Sequence, residues 1–417
     1  MNILAVNEHL QEIYICDDNK LKILDYPDNF HYSLKHTLTL EDSNSIESRI
    51  NHLSLTRYKS EQLLILLTHS GLIFIYFPEN WARSPIKLDN YSEDFDDFSV
   101  WSCSFHDGLL AVGSNTHIIT LWNLDTYEKQ VLAELSHNIP CLDFNDKGLL
   151  ASTCIDTSVN VHLPGGTLTC RPCTEWGWAV KWIRRNAICE AKKVPASNIA
   201  DLRNRYKSNL PSTYFNGNVG VSGIFAVDNF LDYERMVSRR INGIPDSDSD
   251  FEEDSESMDF DPPSHFSPSK DFENHLLVQT SKNSVHLIDP GLSQCNKNSK
   301  MHVLAVYVPN FEVNLGNFSR LSLLHYIETL SLCIVGNQFG CEVIFLKLCK
   351  SRNSKSVLGW DYCFVRELTV NLDSRIMALC VNQVGDSARV YALTEMMSFY
   401  VFTACDAKVE KLTKFEL

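Results

Sequence analysis

Cys170 and Cys173 stand in a Cys-x-x-Cys spacing, with Cys154, His162 and Cys189 close to them in the chain. Thiolates and imidazoles are the ligands of structural zinc, which takes four of them in a tetrahedron. One Cys-x-x-Cys supplies only two, and strand geometry would have to bring in the rest, so zinc is disfavoured. A redox dithiol is weaker still, because nothing around the pair reads as a βαβ unit. The glycine-rich run Asn216 to Gly223 lacks the Lys-Ser/Thr of a phosphate loop and reads as a flexible turn or irregular strand. There is no His-Glu-x-x-His and no Gly-x-Ser-x-Gly, and the 14 histidines are scattered. No catalytic constellation emerges, no cofactor or metal is implied, and the expectation is a non-enzymatic protein.

The elements that would position any site show themselves as a repeat. Gly-Leu-Leu-Ala occurs at Gly108 and again at Gly148. Ser102-Cys103-Ser104-Phe105 precedes the first copy as Cys141-Leu142-Asp143-Phe144 precedes the second. Alternating apolar runs follow, Ile119 and Leu121 in one, Val159, Val161 and Leu163 in the other. Each unit reads strand, turn, strand, turn, strand. Looser copies run from Asn2 to Tyr26, Ile50 to Phe77, Asn274 to Asp289, Leu321 to Leu346 and Arg375 to Phe402, giving about seven units, a usual blade number for a propeller. A unit of this size cannot bury two apolar faces alone, whereas radial stacking buries both. The expected fold is all-β: a single seven-bladed β-propeller with a long, partly helical and partly disordered acidic insertion. Blades 1–4 and the start of blade 5 occupy 1–183, the insertion 184–273 and the remaining blades 274–417.

The chain has 417 residues, 44% of them hydrophobic, enough for a large core. The formal net charge of −15 opposes non-specific contact with phosphate backbones, so direct nucleic-acid binding is the poorer expectation. Glu8 and Glu12 interrupt the apolar core that a signal peptide would need, and no later stretch has the length of a membrane-spanning helix. A soluble, intracellular protein with no membrane association follows as the expectation. The 14 cysteines, mostly single within apolar runs, read as reduced thiols.

Three features mark the interruption. Lys181, Arg184, Arg185, Lys192, Lys193, Arg203, Arg205 and Lys207 make one locally basic region. It can pair with the acidic run downstream, bind a partner's acidic face or touch nucleic acid, although a solvated face is the commoner case. Residues 228–242 fit a helix with the apolar series Phe230, Leu231, Met236, Val237 and Ile241, which either packs on the propeller or docks another protein. The run 245–263 holds nine carboxylates and no base, a composition that favours disorder. Within it Ser247 and Ser249 each have an acidic residue three positions on. With Ser267, which precedes a proline, they are candidate phosphorylation sites, and an unmodified loop is an equal reading.

The stretch Ser136 to Leu163 resembles a WD repeat. His137 falls at the family's Gly-His histidine, Ser152 at its strand serine and Asp156 at its tight-turn aspartate, while His162 replaces the usual Trp; Trp122-Asn123 takes the closing Trp-Asp position of the preceding unit. The resemblance implies a structural, buried hydrogen-bond network of His137, Ser152, Asp156 and Trp122. Together with Val100 to Leu124, the Trp176-Gly-Trp-x-Val-Lys-Trp182 segment and the acidic insertion, the chain looks like the fungal WD-repeat regulators of ribonucleotide reductase gene transcription. That likeness implies a nuclear or cytoplasmic protein of the replication-stress response, monomeric within a complex of other proteins, including as a substrate receptor of a cullin-type ubiquitin ligase. The Trp-Asp-x-Arg box of many such receptors is broken at Trp122-Asn123-Leu124-Asp125. A scaffold of an unrelated complex, in ribosome assembly or trafficking, remains the alternative.

Overall fold

The structure, a computed structural model, describes the chain except residues 1, 26–32, 41–48, 91–97, 164–165, 173–175, 192–273, 283, 292–300, 310–319, 339, 353–359, 406–408 and 417. Among the described residues the strands form seven antiparallel sheets, each the blade of a propeller. Blade 1 comprises Leu4–Asn7, Glu12–Asp17, Lys20–Asp25 and Ser33–Thr39, and blade 2 Ile50–Tyr58, Glu61–Thr68, Leu72–Tyr76 and Ile86–Asp89. Blade 3 comprises Val100–His106, Leu109–Ser114, Ile118–Asn123 and Lys129–Glu134, and blade 4 Cys141–Phe144, Leu150–Thr153, Val159–Leu163 and Gly166–Cys170. Blade 5 pairs Gly177–Arg184 with His275–Ser281, Val285–Asp289 and His302–Tyr307, so one ladder forms across some ninety intervening positions. Blade 6 is Leu323–Ile327, Leu332–Gly336, Glu342–Arg352 and Trp360–Asn371, joined in parallel by Cys189–Glu190. Blade 7 is Ile376–Val384, Ser387–Thr394, Ser398–Cys405 and Val409–Glu416.

The repeated Gly-Leu-Leu-Ala has a local cause. Gly108 and Gly148 have φ of +83° and +79°, the left-handed conformation that closes the turn between first and second strands. Asp107 at +42° makes Asp107-Gly108 a two-residue hairpin connection, and Asn145 Oδ1 accepts from the amides of Lys147 and Leu149 to fix the longer turn in blade 4. Ala111 then pairs with Leu121, and Ala151 with Val161, so the two copies share one register.

The period of two divides each blade between its neighbours. In blade 2, Leu63, Ile65 and Leu67 pack toward blade 3, while Leu64 and Leu66 pack toward blade 1. In blade 6, Leu332 and Ile334 face blade 7, and Cys333 and Val335 face blade 5. Every one of the seven blade-to-blade boundaries is filled by its own apolar cluster. Inner strands are therefore apolar on both sides, each buried Leu, Ile or Val contributing about 1.5–3 kcal/mol, whereas the outer strand Ser33–Thr39 is largely exposed.

First strands touch the first strands of adjacent blades all the way round, including blade 7 to blade 1. Among the described residues each blade uses consecutive strands of its own, apart from the two-residue addition to blade 6, and no strand is exchanged between blades 7 and 1. Closure rests on side chains: Leu4, Val6, Ile13 and Ile15 pack on Ala378, Tyr391, Leu393, Phe399 and Val401. The Leu379 amide donates to Asn2 Oδ1 at 3.2 Å, and the Tyr391 hydroxyl to Glu8 Oε1 at 2.9 Å. Among the described residues no helix is long and apolar enough to cross a membrane.

Candidate interaction surface

Turns between first and second strands share one face of the ring, and both ends of the long segment 185–274 join blade 5 there. A cleft of about 150 Å³ opens on it among blades 4, 5 and 6, lined by Asp143, Asp146, Lys181, Trp182, Arg184, His275 and Glu328 with their neighbours. Lys181 Nζ is 2.5 Å from Asp143 Oδ1. Asp143 Oδ2 accepts from the Trp182 amide at 2.8 Å, and Trp182 Nε1 donates to the Asp143 carbonyl at 2.9 Å. His275 Nε2 is 2.8 Å from Asp146, and Arg184 grips Glu328 on blade 6 at 2.9 Å. Burial raises the Asp143 carboxyl above the usual value, partly offset by Lys181 and the Trp182 amide.

This volume is well below the roughly 300–1,000 Å³ of cofactor and drug-sized ligand sites. It suits one protruding side chain or a few waters. His275 and Asp146 have the base-and-orienter pairing of hydrolases, but among the described residues lining the cleft there is no Ser, Thr or Cys for the pair to activate.

On the opposite face Arg320, just before the first strand of blade 6, stacks its guanidinium 3.8 Å from the Trp178 ring centroid of blade 5 and 5.8 Å from that of Trp101 of blade 3. It thereby spans the centre of the ring. Burial lowers Arg320 to about 10, which leaves it cationic at neutral pH. The indole N–H groups of Trp101 and Trp178 are buried with no hydrogen-bond partner among the described residues.

The four residues of the WD resemblance fall into separate contacts. Ser152 Oγ is 2.9 Å from His162 Nε2, so the histidine that stands in for Trp supplies a ring nitrogen to the strand serine. Asp156, 3% exposed, accepts from Ser136 Oγ at 2.5 Å, Ser158 Oγ at 2.6 Å and the Ser158 amide at 2.9 Å. Burial pushes the Asp156 carboxyl up, and these hydrogen bonds more than offset it, leaving it below the usual value. His137 turns to its own neighbourhood: its Nδ1 accepts from the Asn138 amide at 2.8 Å and its ring lies 5.6 Å from that of His117. Trp122 is buried in the cluster between blades 2 and 3, its indole N–H without a hydrogen-bond partner among the described residues, with Lys129 Nζ 5.8 Å from its ring.

Arg184 ends the first strand of blade 5. Arg185 follows it in a single 3-10 turn, Arg185–Ala187, and meets Asp289 at 2.7 Å. Lys192, Lys193, Phe230, Leu231, Met236, Val237, Ser247, Ser249 and Ser267 lie outside the described residues, as do the helix expected at 228–242, the acidic run and Cys173. Cys170 is described, with its thiol pushed up to about 12 by burial, and among the described residues no group of three ligands is placed to hold a metal. The cleft pairs and the Arg320 stack escaped the sequence reading, since partners 38 or more positions apart leave no local pattern. The three tryptophans at 176, 178 and 182 were the visible trace.

No family model matches the chain. A WD40 repeat-containing protein of Dictyostelium discoideum is 28% identical over 192 residues, 44% of this chain and 27% of that protein; the chain thus spans about a quarter of the length of the curated relative it matches. Among solved structures, the RRP9 WD40 repeats align with a TM-score of 0.55 at 12% identity over 94% of this chain and 86% of that one. A chain of the mitotic checkpoint complex aligns with a TM-score of 0.53 at 12% identity, covering 100% and 87%. The structural likenesses speak for the fold. With the sequence match they support a WD-repeat propeller.

Proposed function

We propose that the chain is a non-enzymatic scaffold that holds other proteins, acting in the nucleus or cytoplasm on ribonucleotide reductase gene expression or the replication-stress response. The observation that carries the scaffold reading is the closed ring itself. Seven blades packed through continuous apolar clusters present two rigid faces, and rigid presentation reduces the ordering cost of binding. Solved neighbours of the same fold include a chain of a multiprotein checkpoint assembly. The narrower role is supported by the sequence likeness to fungal WD-repeat regulators of ribonucleotide reductase genes. The segment 184–273, rooted beside the cleft, is a second docking element under this reading, its phosphorylation at Ser247, Ser249 and Ser267 adding charge.

Attachment to a cullin-type ligase, if it is the mode of action, uses a surface other than the Trp122-to-Asp125 box. Asn123 Oδ1 is committed to the amides of Asp125 and Thr126, and the Asp125 carboxylate accepts from Tyr58 and Lys59 of blade 2. Affinity purification of the full chain with mass spectrometry tests the role. Recovery of ligase and replication-stress factors, with hydroxyurea sensitivity on deletion, is expected. Reproducible recovery of ribosome-assembly or trafficking machinery, with no hydroxyurea phenotype, overturns it.

A further inference from the structure

Three cysteines line up across blade 6. Cys349 on Glu342–Arg352 is directly opposite Cys363 on the antiparallel strand Trp360–Asn371 and, on its other side, opposite Cys189 of the parallel pair Cys189–Glu190. Directly opposed residues of an antiparallel pair, as Cys349 and Cys363 are, have Cα atoms about 4.5–5.5 Å apart, inside the roughly 4.4–6.8 Å window of a disulfide. The side chains confirm the approach: Cys349 and Cys363, both under a tenth exposed, pack together with Cys189 against them, and the Cys349 thiol is within hydrogen-bond reach of both others. Cys189 is only half-buried and is the thiol open to solvent. No three ligands converge on a metal position among the described residues, so sulfur–sulfur chemistry is what this row offers.

We propose that this row is an oxidation site at which a hydroperoxide converts Cys349 and Cys363 to a disulfide by way of Cys189. The Cys189 thiolate attacks a peroxide oxygen, the O–O bond breaks, and the departing hydroxide takes a proton to leave as water. Cys349 then displaces hydroxide from the Cys189 sulfenic acid, forming the Cys189–Cys349 disulfide and a second water. Cys363 attacks the Cys349 sulfur, forms the Cys349–Cys363 disulfide and releases Cys189, which takes up the proton Cys363 gave. Two thiols lose two electrons and two protons, and hydrogen peroxide becomes two waters.

The consequence is mechanical. Cys189 stands at the head of the segment that leaves the propeller, and Ala191 still donates to the Lys350 carbonyl at 2.8 Å. In the intermediate that root is covalently tied to blade 6, and in the product the two long strands of blade 6 are tied to each other.

The full-length protein titrated with hydrogen peroxide, quenched into N-ethylmaleimide in denaturant and mapped without reduction tests the proposal. The expected product is a Cys349–Cys363 cross-linked peptide with Cys189 alkylated, while the fully buried Cys333 stays reduced. Cys189→Ser should slow the cross-link at least about tenfold, and Cys363→Ser should accumulate the Cys189–Cys349 bridge. Alkylated Cys349 and Cys363 alongside over-oxidised Cys189 overturns the proposal, and so does a cross-link whose rate ignores Cys189→Ser. The wild-type map decides the matter even if a serine variant fails to fold.

Discussion

The boundary between blades 7 and 1 and the boundary between blades 3 and 4 do the same job with different materials. At the first, Tyr391 and Phe399 stack with ring centroids 5.8 Å apart inside a broad apolar cluster. At the second, a smaller cluster without aromatic rings at its centre is joined by polar links: Ser102 Oγ donates to the Ile139 carbonyl at 3.1 Å, and Ser104 Oγ accepts from the Phe144 amide at 2.8 Å. Blades 3 and 4 are also consecutive in sequence, tethered by the short connection from Glu134 to Cys141. Blades 7 and 1 are not, and no strand is exchanged between them. The seam therefore depends chiefly on its broad apolar cluster with its large buried rings, beside which the Leu379–Asn2 and Tyr391–Glu8 hydrogen bonds are the polar ties.

Breaking the seam should have the largest effect. Phe399 is fully buried, so Phe399→Ala should destabilise by about 3–5 kcal/mol in denaturant unfolding. A loss below about 1 kcal/mol would mean that the ring is held shut by something other than this cluster.

A pH titration sharpens the contrast, because the seam's apolar cluster holds no histidine and blade 4 buries one. Burial lowers His162 to about 4 from an ordinary 6.5. Above pH 6.5 neither folded nor unfolded chain carries the proton, and the stability is fully present. Between 6.5 and 4 only the unfolded chain binds it, so stability falls, by up to about 3 kcal/mol once the folded value is passed. His162→Gln should remove that share, narrowing the gap between denaturation midpoints at pH 7 and pH 4.5, while Phe399→Ala leaves the gap unchanged. His52, His286 and His325 are lowered in the same direction, and the wild-type-minus-variant difference isolates His162.

The same contrast explains what was legible in the sequence. Blade rhythm was readable because a residue's place in a strand decides which neighbouring blade it faces, a rule with a period of two that alternating Leu, Ile and Val record directly. Blade 5 was readable only in halves, since Gly177–Arg184 meets His275–Ser281 far along the chain. The polar contacts were the least legible. Family position assigns a side chain to a strand or turn, but which hydroxyl or ring completes a hydrogen bond depends on rotamers and on the adjacent blade. Arg184 and Arg185 read as members of a basic patch, yet both have carboxylate partners in the fold, Glu328 and Asp289.

Ser136 and His137 make the smallest and sharpest test of that last point. The family pattern selects His137 as the turn's hydrogen-bond partner, whereas Ser136 is the one that reaches Asp156. Asp156 is buried and keeps further bonds from Ser158, and Arg171 lies 3.4 Å away, so losing one donor weakens but does not strand its charge. Ser136→Ala should cost about 1 kcal/mol and raise the acid midpoint of unfolding, because the lost bond is one that favoured the ionised carboxylate. His137→Ala removes only a local acceptor and a ring contact with His117, while the carbonyl that accepts from Cys154 stays in place, so the change should be under about 0.5 kcal/mol. Equal losses in the two variants would mean that His137 joins the Asp156 network in solution, and the reverse order would restore the arrangement that the resemblance implies.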